Sequence, residues 1–221
     1  MGKFIVIEGI DASGKSTIVT LVHELLASNN RQAYIATKKK PRTGDSDIDK
    51  YLSLLGQIVW PSGADSMPWS FLSEDQWKLQ ITLWYSVLST IYIPQLCSLY
   101  DYVLIDGWYY KMHARFLHGM NTEFLNPILP SIDTADMVFL LDVDPECCWK
   151  RRKGLFSPTE ISTYHSQVVD LHHSFISFQE SIRKTLIDLS TLRGWHVIPN
   201  PDDSAIITAA TIASYIISSV Q

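Results

Sequence analysis

The residues best suited to chemistry stand together near the start of the chain, in "GIDASGKST", Gly9 to Thr17. A lysine and two hydroxyls that directly follow a glycine-rich turn can hold a polyphosphate: Gly9 and Gly14 permit the backbone to close around it, and Lys15 neutralises its charge. The spacing fits G-x-x-x-x-G-K-[ST] with Gly9, Gly14, Lys15 and Ser16. Ala12, Ser13 and Thr17 complete the loop, and Ser16 is the expected Mg2+ ligand. The motif needs a strand before it and a helix after it. Both are there: Phe4 to Ile7 is an apolar run too short for a helix, and Ile18, Leu21, Val22, Leu25 and Leu26 recur at helical spacing. These flanks disfavour a chance match. They predict a nucleoside triphosphate as ligand and leave the reaction open.

A second candidate is Asp106, which ends the apolar run "YVLID". A carboxylate there reaches Mg2+ in phosphate-loop proteins, although a helix-capping role is the alternative. Asp142 and Asp144 flank "DVDPE" and read as mainly structural. Further on, Lys150, Arg151, Arg152 and Lys153 precede Gly154 and Pro158. Beside a phosphate loop this pattern predicts a lid around 150–158 that brings Arg151 and Arg152 over the transferred phosphate. The plainer alternative is a solvated cluster that favours the end of a helix dipole.

The elements that must position these groups alternate. "RQAYIAT" (Arg31 to Thr37), "YVLID" (Tyr102 to Asp106), "MVFLLDV" (Met137 to Val143) and "WHVIPN" (Trp195 to Asn200) read as strands after the first. Helical patterns separate them, with long ones over Glu74–Leu99, Pro158–Leu192 and Asp202–Val220. Alternation predicts an α/β fold: a five-stranded parallel sheet with helices on both faces, of the P-loop NTPase type, and with its ligand at the carboxyl edge. The chain has 221 residues and no repeat or linker, so residues 1–221 should form one domain. A net charge of −5 argues against a nucleic-acid polymer as partner. Cys97, Cys147 and Cys148 fit neither a disulfide framework nor a metal site, and no apolar run is membrane-spanning or a signal peptide. A cytoplasmic protein without a membrane partner is expected.

Taken in order, these segments resemble the thymidylate kinase-like family of nucleoside monophosphate kinases. "FIVIEGIDASGKST" is similar to its FxxxEGxDGxGKST opening, "VLIDGWYY" stands at its DRY-type motif, "LLDVDPE" at its LDVxPE segment and "KRRKG" at its arginine lid. The resemblance implies ATP with Mg2+ as donor and, frequently, a homodimer. It also implies that Asp11 arranges acceptor and phosphates, and that Asn200 and Pro201 lie near the adenine. Departures fall on the acceptor side. Gly107 replaces the arginine of DRY, Trp84 falls where a base-contacting arginine is usual, and "KKKPRTG" replaces REPGGT. Lys40, Arg42, Lys111 and Arg115 are the candidates for restoring a cation, and Trp84, Tyr85, Trp108 and Tyr109 for an aromatic acceptor pocket.

The expected function is thus ATP-dependent transfer of the γ-phosphate to a small acceptor, a nucleotide, nucleoside or related metabolite other than ordinary thymidine monophosphate. Two alternatives are a kinase of a non-nucleotide metabolite and a nucleotide-binding module without turnover. The guanine signature [NT]KxD does not occur.

Overall fold

In the computed structural model, residues 1–60, 72–117, 129–132, 134–161, 170–199 and 204–219 are described. Five strands, β1 (Lys3–Glu8), β2 (Ala33–Ile35), β3 (Tyr102–Asp106), β4 (Met137–Asp142) and β5 (His196–Pro199), form one sheet in the order β2-β3-β1-β4-β5. Every pairing is parallel; Ile5 is opposite Leu104 on one side and Met137 on the other. The central strands are buried on both faces, which is why Ile5, Val6, Ile7, Val103, Leu104, Ile105, Phe139, Leu140 and Leu141 occur as unbroken apolar runs. Asn200, the last residue of the expected fifth strand, and Pro201 and Asp202 beside it lie outside the described residues.

The helices are α1 (Lys15–Ser28), α2 (Ser46–Val59), α3 (Glu74–Val87), α4 (Ile93–Leu99), α5 (Tyr109–Leu117), α6 (Leu129–Ile132), α7 (Pro145–Arg152), α8 (Pro158–Ile161), α9 (Leu171–Arg193) and α10 (Ala205–Ser218). Five of them start where a side chain accepts from the first turn: Asp45 for α2, Ser73 with Gln76 in a capping box for α3, Asp144 for α7, Asp170 for α9 and Ser204 for α10. The segment expected as one helix over Glu74–Leu99 has an inserted π turn at Leu88–Tyr92, where the Ile93 N–H bonds to the Leu88 carbonyl. Pro94 explains the insertion, because it has no N–H for the carbonyl of Thr90 and its ring crowds the preceding turn. The Pro158–Leu192 pattern resolves into α8 and α9, while residues 162–169 lie outside the described part. Among the described residues no helix is long and apolar enough to cross a membrane.

Candidate active site

The loop from Gly9 to Gly14 joins the end of the most buried strand to α1, and backbone geometry dictates its composition. Gly9 has φ +152°, and a Cβ there would come within 2.7 Å of Ser13 Oγ and 3.0 Å of the Leu141 carbonyl. Gly14 (φ +96°) opens α1 without any side-chain cap, and the first turn of α1 carries no acidic residue. Its amide groups are thus left to a bound anion. Ala12 takes φ +63°, a conformation costly for a residue with a Cβ.

Lys15 Nζ donates to the carbonyls of Gly9 (2.9 Å) and Ile10 (2.6 Å) and, at 3.4 Å, to Ser13 Oγ. Burial, reinforced by the charge of Lys111, lowers its pKa to about 8, although Asp11 and Glu8 oppose the shift. Glu8 is fully buried and accepts from the backbone N–H of Gly9 and of Trp108, both at 3.0 Å. It therefore ties the phosphate loop to the turn after β3.

Asp11 is the most heavily engaged group of the site. One carboxylate oxygen meets Lys111 Nζ at 2.5 Å, and the other accepts from Arg115 Nη2 and Gln179 Nε2, each at 3.1 Å. Burial works against its charge, but Lys111, Arg115 and Lys15 together outweigh it and hold the carboxyl far below the usual range. Gln179, buried in α9, also donates to the Glu160 carbonyl, and Arg115 donates to the Thr159 carbonyl. The start of α8 is thereby tied to the phosphate loop.

Above the buried Glu8 and Gln179, a cleft of about 620 Å3 opens at the carboxyl edge of the sheet. Asp11, Ala12, Gly14, Lys15, Ser16, Tyr85, Asp106, Trp108, Lys111, Arg115, Arg151 and Arg152 are brought together there as expected. Arg151 donates to the Ser13 carbonyl at 3.3 Å, and Arg152 pairs with Glu160 at 2.8 Å while lying over the Phe156 ring. Gly9, Ser13 and Thr17 stand outside the lining, Gly9 beneath the loop, Ser13 turned inward and Thr17 exposed on the first turn of α1.

Four expected acceptor residues are placed elsewhere. Trp84 is fully buried, its Nε1 donating to the Lys38 carbonyl at 2.9 Å, so it packs beneath the cleft wall and does not line the cleft. Tyr109 is buried against Tyr110 and His113. Lys40 and Arg42 are exposed, and Arg42 turns to Asp49 at 3.9 Å. The cation that does enter beside β3 is Lys38, whose Nζ donates to the Asp106 carboxylate (3.0 Å), the Asp106 carbonyl and the Gly107 carbonyl (3.1 Å). Lys39 and Trp60 also line the cleft, Lys39 lying over the Trp60 ring. Lys38 and Gln179 carry no motif of their own, the run of three lysines being the one visible signal, whereas Glu8 stands at the glutamate of the FxxxEGxDGxGKST opening.

An uncapped glycine-rich loop at the carboxyl edge of a parallel sheet, with Lys15 inside it, defines a P-loop nucleotide-binding protein of α/β architecture. No protein-family model matches the chain. It is similar to the probable thymidylate kinase 1 of Saccharolobus solfataricus, 26% identical over 157 residues that cover 70% of this chain and 72% of that protein. It is also similar to the probable thymidylate kinase of Archaeoglobus fulgidus, 27% identical over 175 residues, 74% and 77% of the two chains. Within the P-loop class, these two likenesses support a thymidylate kinase-like family for the chain.

Proposed function

We propose that this protein is an ATP-dependent kinase that transfers the γ-phosphate to a small nucleotide-type acceptor other than ordinary thymidine monophosphate. The observation that carries the reading is the continuity of the phosphate loop with a strongly cationic cleft. Lys15, Lys38, Lys39, Lys111, Arg115, Arg151 and Arg152 face it, against Asp11, Asp106 and Glu160, in a chain of net charge −5. Such a concentration of positive charge suits two phosphate-bearing ligands bound side by side.

In the proposed reaction the bond from the γ-phosphorus to the ADP oxygen breaks and one to an acceptor oxygen forms. Lys15 and Arg151 lie where they can neutralise the spreading charge, and α1 directs its uncapped N-terminus at the phosphates. Asp11 is unsuited to take up a proton, because both its oxygens are occupied and its pKa is depressed. It is a positioning residue that holds Lys111 and Arg115 at the cleft. Phosphate acceptors need no such base, since their second pKa is about 6. Ser16 and Asp106 fit Mg2+, because a hydroxyl and a carboxylate are hard oxygen donors and both border the main cleft and the smaller one between α1 and β2. Bound there, Mg2+ would neutralise phosphate charge.

Tyr85, Trp108, Met112 and Trp60 give the acceptor end an apolar wall, in line with a flat base. The substitutions at 84 and 107 support an acceptor unlike thymidine monophosphate. Free thiols at Cys97, Cys147 and Cys148 fit a cytoplasmic location. Exposed apolar side chains on α2 and α3 fit a homodimer. The test is ADP release from ATP with purified protein and a panel of nucleoside monophosphates, nucleosides and hydroxylated metabolites. Release that rises with a nucleotide acceptor is expected; release indifferent to every acceptor would leave a binding module without turnover.

A further inference from the structure

Two of the departures from the family pattern, Gly107 and Trp84, touch the same residue, Lys38, which opens the third. Gly107 has φ +73°, and a Cβ built on it would lie 3.1 Å from Lys38 Nζ, 3.4 Å from Glu8 Oε1 and 3.6 Å from Lys15 Cε. The Lys38 ammonium therefore fills the space into which a side chain at 107 would project. It arrives from the end of β2, and its backbone is fixed by the 2.9 Å bond from Trp84 Nε1 to its carbonyl. The indole is itself locked, fully buried and in contact range of Gly56 on α2. An arginine at 107 would meet the ammonium head-on, so a cation at 38 and a side chain at 107 exclude each other.

We infer that Lys38 is the cation that grips the phosphate of the acceptor nucleotide, in place of an arginine at 107, and that Trp84 is its positioning residue. This rests on the kinase reading. Lys38 now donates to two backbone carbonyls and one carboxylate. A phosphate dianion is a stronger acceptor than a carbonyl and can take over those two bonds while Asp106 keeps the third. Because an ammonium binds as a point charge and an arginine as a planar fork, the site reads the acceptor's charge more than its orientation.

The test is calorimetric binding, without turnover, of a panel of nucleoside 5′-monophosphates and the matching nucleosides to the full chain. Lys38→Ala should weaken the best monophosphate by roughly ten- to a hundredfold. It should leave the matching nucleoside within about twofold, since the nucleoside has no phosphate for this contact. Lys38→Arg should keep most of the monophosphate affinity, and Trp84→Phe, which deletes the indole bond and leaves a smaller ring in its place, should fall between. Gly107→Arg alone should weaken binding, whereas in the Lys38→Ala background it should restore it, a reversal of sign that a merely structural Lys38 cannot produce. The inference is overturned by wild-type monophosphate affinity in Lys38→Ala, by equal losses for monophosphate and nucleoside, or by a wild-type protein that prefers nucleosides or binds no monophosphate. ADP release is scored separately. Lys38-dependent monophosphate binding with no ADP release sinks the kinase reading alone, and ADP release with nucleosides only sinks this inference alone.

Discussion

Lys15 is charged at a cost in the folded protein, and the sign of that cost makes a pH prediction. Its pKa of about 8 lies below the ordinary lysine value of about 10.4, so the unfolded chain keeps a proton that the folded one releases between them. Stability from this group should rise with pH through that window. Activity should move the other way: kcat/KM for ATP falls above about pH 8, while bound triphosphate raises the pKa and displaces the fall in kcat to higher pH. Initial rates from neutral to alkaline pH check this, and a flat kcat/KM profile contradicts it. Lys15→Ala should reduce kcat by about a hundred- to a thousandfold with the thermal midpoint nearly unchanged. Asp11 is the opposite case, a depressed carboxylate. Its contribution is fully present above the unfolded value of about 3.9 and is lost progressively as pH falls below it. Asp11→Asn leaves Lys111 and Arg115 facing each other and should cost about 3 kcal/mol at neutral pH. In urea titrations at several pH values, the gap to wild type should narrow below about pH 4; a gap independent of pH would show that Asp11 acts by packing alone.

At the scale of elements, the turn between α7 and α8 decides where the cations at the end of α7 go. Lys153 and Gly154 both take positive φ, +51° and +73°, and reverse the chain so that Arg152 reaches Glu160. A Cβ on Gly154 would come 2.9 Å from Trp149, whose ring packs with Phe156 and Phe175. Gly154→Ala should therefore cost about 1–2 kcal/mol and lower kcat more than it raises KM for ATP; thermal melting and steady-state kinetics measure both, and an unchanged kcat would show that the turn does not position those cations. The elements themselves were largely legible. Apolar runs marked all five strands, and the spacing of Gly9, Gly14, Lys15 and Ser16 marked the glycine-rich loop between β1 and α1. What stayed hidden was contact between distant segments. Lys38 meets Asp106 across 68 positions, Lys111 meets Asp11 across 100 and Gln179 meets Asp11 across 168, and no periodicity encodes such pairings. For the same reason Trp84 looked like a pocket wall, since an aromatic at helical spacing reads alike whether its indole N–H faces a ligand or a neighbouring backbone carbonyl.

For the whole molecule, the question is what the acidic exterior and the exposed apolar side chains do. Tyr51, Leu54 and Ile58 recur at helical spacing on α2, and Leu79 and Leu83 do so on the adjoining α3; all five are about half exposed. The same two helices turn Leu52, Trp84 and Tyr85 inward, so their outer side chains add nothing to the monomer's core. An exposed apolar stripe of this kind suits an association surface. A second copy is its proposed occupant, since an isologous pairing would bury both copies' stripes at once. Replacing Leu54 and Ile58 together by glutamate puts like charges on both sides of that pairing and should convert a dimer to a monomer, read as a halved mass in sedimentation or light scattering. ATP binding should persist in the variant, because the phosphate loop is carried by β1 and α1 and both mutated residues are exposed ones on α2. A wild-type protein that sediments as a monomer at high concentration, or a doubly substituted one that remains dimeric, would assign the stripe to some other role.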